Sequence, residues 1–360
     1  MSVMKSEYLS LVQDLIRCKP LSQDVEAVAC AHDLIKAFLD ERKVYTVTEV
    51  IDNRKVLYAS TVPGKVCDYL LNAHIDVVPA AYESQFEPYV ENDRLYGRGA
   101  GDDLGNAMLM VQLLCENINS NNSIGAIFTA DEEIGGHTTA GMVKLGYVPR
   151  KCAVVLDSWG SGGVNIAQKG ILSLKLIARG NGGHSSTPWN RVNPIDKLLQ
   201  GYMKFAAMWD NGSGEEQWCN TMAATRLDAG FAHNQIPDTA EMVINFRCIS
   251  SDMIDDLQKK VPEITGLETE VVELCYPMVS DSDDPELIRL LKLLKEERQN
   301  EARFQRMNGA TDARHFGGLG LPVAIMGLRT SGAHAAVEYL DLTSYQSTLN
   351  ALQRFIAGEK

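Results

Sequence analysis

Five segments of this 360-residue chain end in side chains that can bind a cation or carry a proton. His74 and Asp76 close the apolar run DYLLNA, two positions apart and so on one face of a strand. Asp102 and Asp103 sit in the glycine-rich stretch LYGRGAGDDLGNAM, at the mouth of a helical pattern. In TADEEIGG three consecutive acids follow the apolar run IGAIF, among them Glu132 and Glu133. Asp157 ends the run VVL, and His334 lies in the small-residue loop SGAHAAVEYL. Each motif alone has a plain alternative: a polar strand end, a helix cap at Asp103, a solvated acidic turn. The glycine-rich stretch is not a dinucleotide loop, because Asp102 occupies the third glycine position and no opening strand–helix unit precedes it. Together, His74, Asp102, Glu133, Asp157 and His334 offer two imidazoles and three carboxylates, a donor set suited to zinc or a neighbouring divalent ion. Five donors exceed one tetrahedral site, so two ions sharing a bridge fit better than one.

The elements that must position these residues follow from periodicity. Apolar spacing of 3.6 marks helices near 5–18 and 23–41, followed by β-rich runs near 43–50 and 54–61. From Cys67 onward continuous apolar strands alternate with helices, the pattern of a mostly parallel sheet covered on both faces. Catalytic groups of such sheets gather at the carboxyl ends of the strands. Between 168 and 279 the order becomes β-α-β-β-α-β, a ferredoxin-like unit that closes on itself and can be inserted into a host. The expected domains are therefore 1–167 with 280–360, and an insertion at 168–279. After the insertion the spacing predicts a helix from Asp284, a strand at FQRM, a helix at TDARHF, a strand at PVAIMG and a final helix from Leu342.

Composition narrows the function. With 45% hydrophobic and 22% charged residues the chain is an ordinary globular one. A net charge of -13 speaks against nucleic-acid binding, which needs clustered Lys and Arg. No run reaches the roughly 20 apolar residues of a membrane span, and the N-terminus lacks the apolar stretch of a signal peptide. Eight cysteines without CxxC pairs, most in apolar surroundings, read as buried thiols of a cytoplasmic protein.

The stretches HIDVVP, YGRGAGDDLGNA, TADEEIGG, GNGGHSSTPW, NQIPDTAEMVINFR, GATDARHF and GAHAAVEYL, with 24 residues from Glu133 to Asp157, carry a resemblance that spans essentially the whole chain. It resembles the di-zinc family of acetylornithine deacetylase, succinyl-diaminopimelate desuccinylase, aminoacylase and carboxypeptidase G, with its peptidase T-like and dipeptidase members. The resemblance implies an α/β fold: a zinc-exopeptidase-like catalytic domain with an inserted ferredoxin-like lid or dimerisation domain. It implies one metal held by His74 and Asp157, a second by Glu133 and His334, and Asp102 bridging both. Glu132 would be the general base, and Asp76 would orient His74 or fix the local geometry. His184 would stabilise the oxyanion, arriving from the partner subunit in dimeric members. Asn234 and Arg247 would hold the substrate, Arg247 pairing with its carboxylate. A cis bond is implied after Asp102.

The family often has Asp-Met-Lys-Gly after the bridge, where this chain has Asp102-Asp103-Leu104-Gly105. That leaves the metal chemistry intact and weakens any inference about subfamily. His32, His137, His233 and His315 read as structural or surface residues, His137 being a candidate to support a ligand. The expected activity is hydrolysis by a zinc metallopeptidase of an amide in small peptides with a free carboxylate, with Co²⁺ or Mn²⁺ as other metals. An N-acyl-amino-acid deacylase is the alternative, and a catalytically silent metal-binding homologue the second. The expected assembly is a homodimer through the inserted domain or a monomer, in which case His184 would act in cis.

Overall fold

The computed structural model describes residues 4–158, 163–212, 217–298 and 302–359. They form two compact units: 1–167 with 279–305 and 311–360, and 168–278 with 306–310.

In the first unit, the helix Ser6–Arg17 turns Tyr8, Leu11, Val12, Leu15 and Ile16 inward, the three- and four-residue spacing of an amphipathic helix. Asp24 starts the helix Val25–Glu41 by accepting the Ala27 N–H at 3.0 Å. A third helix, Leu104–Glu116, is buried from Leu104 through Leu114, as its apolar composition on every side requires.

The main sheet carries Ile124–Thr129, Val66–His74, Val148–Val155 and Val323–Ile325 side by side, all parallel. Their near-continuous burial is the reason they read as unbroken apolar runs. On one side of them the pairing is antiparallel: Arg54–Ser60 pairs with Ile124–Thr129 and with Tyr45–Ile51. The latter hairpin turns at Asp52 and Asn53, with φ of 49° and 63°, the left-handed pair a two-residue hairpin favours. In register, His74 lies opposite Thr129 and Asn72 opposite Val155. The parallel strands thus end together and deliver His74, the acidic turn and Asp157 to one edge.

Two local expectations change. TDARHF forms the short 3-10 turn Asp312–His315, since glycines at 317 and 318 follow before a longer helix can propagate. A small antiparallel sheet absent from the periodicity also forms, in the order Thr330–Ser331, Tyr339–Asp341, Arg94–Tyr96, Tyr89–Glu91. Its strands are two or three residues long, too short for alternation to show.

The second unit holds a four-stranded antiparallel sheet in the order Thr221–Ala229, Thr239–Cys248, Gly170–Arg179, Glu268–Cys275. Helices Pro194–Ala206 and Ser251–Thr265 connect it in the ferredoxin-like sequence. Leu172, Leu174, Leu176, Ile244 and Phe246 meet Leu198, Phe205, Ile254 and Leu257 in its own core. A further short hairpin pairs Gly183–His184 with Gln235–Ile236.

Phe128 is fully buried in the centre of the main sheet. Replacing it by Ala removes its packing and leaves a cavity, an expected loss of about 3–5 kcal/mol. A urea titration of the variant should show its first transition at a lower midpoint.

Candidate functional site

The five candidate ligands converge at the strand ends of the first unit. His74, the last residue of its strand, places Nε2 3.0 Å from Oδ1 of Asp102. The other oxygen of Asp102 lies 3.4 Å from Nε2 of His334, and that nitrogen is 2.9 Å from Oε1 of Glu133. Asp102 thus stands between two imidazoles, one oxygen toward each. Donor atoms of His74, Asp102 and Glu133 fall within 4.8 Å of one another, and so do those of His74, Glu132 and Asp157. The two groups share His74. Nitrogen and oxygen donors at this spacing fit a pair of divalent ions.

Charge compensation in the site is uneven. Burial drives Asp157 well above the usual carboxylate range, and the nearby Glu132 adds to it. Burial likewise pushes Glu132 up to about 8; His74 opposes this and Asp312 reinforces it. Burial also disfavours the ionised form of Asp102, but hydrogen bonds from His334 and His74 outweigh it and hold that carboxyl below its ordinary value. Its hydrogen bond to Asp102 raises His334 to about 9 against the effect of burial. The acids outnumber the imidazoles, and cations bound among them would supply the missing balance.

Backbone geometry sets these groups. The Asp102–Asp103 peptide is cis, and His334 adopts a left-handed φ of 62°. Asp76 is fully buried. Its carboxylate accepts the N–H groups of Glu132 at 3.1 Å and Glu133 at 3.4 Å, while its backbone carbonyl pairs with Nδ1 of His74 at 2.9 Å. One residue therefore orients both the histidine and the acidic turn, the role known for groups that support metal ligands. Asp103 occupies the N-cap position of its helix without capping through its side chain. It accepts instead the His74 N–H at 3.2 Å and the Asn106 amide at 2.7 Å.

Sequence reasoning passed over a second support. Arg98 and Glu338 form a fully buried ion pair. Glu338 also accepts the N–H groups of Gly101 at 3.0 Å and Asp102 at 3.1 Å, and Arg98 donates to the carbonyls of Pro79 and Ala335. The pair clamps the loops after His74, before Asp102 and around His334. Both residues stood inside stretches that drew notice, YGRGAGDD and GAHAAVEYL, but a lone charge in a loop has no period to reveal its partner.

The remaining candidates lie in the second unit. His184 is exposed on the short hairpin, its Nδ1 accepting the Ser186 N–H at 3.2 Å and facing the Ser186 hydroxyl at 2.7 Å. This leaves Nε2 as the outward nitrogen. Asn234 is joined to the same hairpin through its carbonyl, which accepts the Ser185 N–H at 3.0 Å. Arg247 lines a separate cavity of about 340 Å³ with Lys169, Thr221, Cys219 and Asn308. Lys169 had drawn no notice in the sequence. Burial lowers its pKa, and its ammonium donates to the Gln217 carbonyl at 3.0 Å. Of the other histidines, His32 is buried against the Phe128 carbonyl at 2.8 Å, a structural residue.

Replacing Glu338 by Ala leaves the Arg98 charge buried without its acid, at a cost of about 3–5 kcal/mol. Because the Asp102 loop loses its anchor, metal affinity should also fall about 10–100-fold, as measured by competition with a chromophoric chelator.

Residues 70–358 match the profile of Peptidase family M20/M25/M40. The chain is 26% identical over 326 residues to succinyl-diaminopimelate desuccinylase of Sulfurimonas denitrificans, covering 85% of this chain and 87% of that protein. A desuccinylase of Rickettsia bellii is 24% identical over 385 residues, covering 97% and 96%. Among solved structures, an M20 family metallo-carboxypeptidase from Sulfolobus solfataricus has a similar fold, with a TM-score of 0.81 and 17% identity over 98% of this chain and 99% of that one. A dinuclear metal binding peptidase of the family from Bacillus subtilis gives a TM-score of 0.69 at 16% identity, covering 98% and 97%. The chain belongs to the peptidase M20/M25/M40 family and is a hydrolase acting on amide bonds.

Proposed function

We propose that the chain is a di-metal peptidase that cuts an amide in small peptides carrying a free carboxylate. The observation that carries this reading is Asp102 placed between His74 and His334, one oxygen toward each, with Asp157 and Glu133 completing the two ends. His74 and Asp157 would hold one ion, Glu133 and His334 the other, and Asp102 both. Zinc suits the mixed imidazole and carboxylate donors, and Co²⁺ or Mn²⁺ could replace it. When bound, such a pair lowers the pKa of water and polarises a carbonyl.

The protein's own groups do the rest. Glu132, beside the donor atoms of His74 and Asp157, takes the proton of the attacking water and returns it to the leaving amine. Cations bound beside it would offset the burial that raises this carboxyl and leave it ionised to accept the proton. The Nε2 of His184 is the donor for the oxyanion, and Asn234 and Arg247 receive the substrate. In this reading the second unit, taken as 168–279, serves as lid and as the surface through which two copies pair, so His184 would be donated between subunits. The eight cysteines carry thiols and form no disulfide, which supports a cytoplasmic enzyme.

A second reading is an N-acyl-amino-acid deacylase. It is favoured by Lys169 beside Arg247, two cations that suit a ligand with two carboxylates, and by the desuccinylase relatives. Assaying dipeptides and tripeptides against N-acetyl and N-succinyl amino acids separates the two. The peptidase reading fails if turnover is confined to the acylated compounds.

Glu132→Gln should lower kcat by about 10²–10⁴ while both ions stay bound, as shown by metal analysis of the purified variant. A fully active variant excludes Glu132 as the base. His184→Ala should lower kcat by about 10²–10³. Mixing it with an inactive Glu132→Gln preparation should restore activity if His184 crosses between subunits. Stripping the ions with chelator should abolish turnover and lower the melting temperature, and added Zn²⁺ should restore both.

A further inference from the structure

We infer that Arg314 is a positioning residue for Glu132, holding the carboxylate of the proposed base in place. The inference rests on the reading of Glu132 as the base.

Glu132 is anchored at its backbone by Asp76, which accepts its N–H. A glutamate has three further rotatable bonds, so the anchor does not determine where the carboxylate rests. Besides His74 and Asp157, the carboxylate faces Arg314, whose Nη2 lies 4.0 Å from Oε1 of Glu132, with both side chains largely buried.

The guanidinium is itself held from behind. Its Nε–H donates to Nε2 of His315 at 3.1 Å, which requires that nitrogen to be unprotonated. Its Nη2 also lies 3.8 Å from Oδ1 of Asp312. The other oxygen of Asp312 accepts the hydroxyls of Thr129 and Thr139, whereas Oδ1 is buried without a hydrogen-bond donor among the described residues. One planar cation is thus set between two acids and steered at its Nε by a neutral imidazole. Arg suits this task because its donors are fixed in one plane, where the ammonium of Lys is a point charge on a flexible stem.

Gly136 shows that the packing is made for this approach. It ends the acidic turn at a φ of 65°, and a Cβ there would lie 2.1 Å from Oδ1 of Asp312, 2.7 Å from Nη2 of Arg314 and 3.1 Å from Nε2 of His315. Only glycine leaves the space through which the Asp312–His315 turn reaches the Glu132 turn. The GATDARHF motif therefore contributes to the chemistry through the base, without touching substrate.

Arg314→Ala, Arg314→Lys, Glu132→Gln and the Arg314→Ala/Glu132→Gln double variant test this, on the best amide substrate of the panel above. A displacement of the base of the order of 1 Å lowers turnover by about 10²-fold. Arg314→Ala is therefore expected to lose about 10–100-fold in kcat, with KM and metal content unchanged. Ethylguanidinium chloride should restore part of the loss, and Arg314→Lys should lie between Ala and wild type. Since Arg314 acts through Glu132, the double variant should be no slower than Glu132→Gln alone. Gly136→Ala should reproduce the loss in kcat if Arg314→Ala folds poorly.

Wild-type kcat in Arg314→Ala overturns the inference. So does a loss of metal in proportion to activity, or a double variant slower than Glu132→Gln by the full single-variant factor. An active Glu132→Gln enzyme instead overturns the reading of the base, independently of Arg314.

Discussion

The first unit is organised around an electrostatic conflict: Asp76, Asp102, Asp103, Glu132, Glu133 and Asp157 crowd about His74 at the ends of buried parallel strands. Like charges in a low-dielectric site are costly unless protons, hydrogen bonds or cations offset them. The fold divides these acids by how each is compensated. Asp76 is satisfied by amide N–H groups and Asp103 by an amide N–H and the Asn106 side chain, so both are committed to architecture. Asp102 is held ionised between two histidines. Burial raises the pKa of Asp157, Glu132 and Glu133, as it also raises that of Asp103, and the first three are the groups on which a bound cation would act most.

This division depends on loops that are rigid although irregular. Three of them are drawn together by the Arg98–Glu338 pair, whose members are both buried and which also bonds the backbone of these loops. A buried ion pair contributes little net stability compared with apolar packing, but removing one partner is costly. Its value here is geometric: it ties the segment carrying His334 to the one carrying Asp102, which are separated by more than two hundred positions in the chain. The small sheet that joins Arg94–Tyr96 to Tyr339–Asp341 serves the same end.

The second unit has its own hydrophobic core, distinct from the one that packs the strands bearing His74 and the acidic turn. The pairing of Lys169 with Arg247 in one cavity is the feature of that unit most open to a charged ligand. Two neighbouring cations in a partly desolvated site are unfavourable alone, as the lowered pKa of Lys169 reflects, and an anion relieves them.

The amino-acid sequence by itself determined the strand ends and marked the candidate ligands that gather there. Unbroken apolar runs define buried parallel strands; His74 and Asp157 follow such runs directly and Glu133 lies in the turn after one, so local pattern was enough to single them out. The β-α-β-β-α-β order likewise made the ferredoxin-like unit legible. Only the tertiary structure decided the supports: Asp76 on the amides of Glu132 and Glu133, Asp103 on His74, Glu338 on Arg98, Arg314 beside Glu132. The two-residue and three-residue strands around His334 were hidden for the same reason. These features are made by contacts between short irregular segments far apart in the chain, where no residue repeats at a period and the partner of a charge is chosen by packing alone.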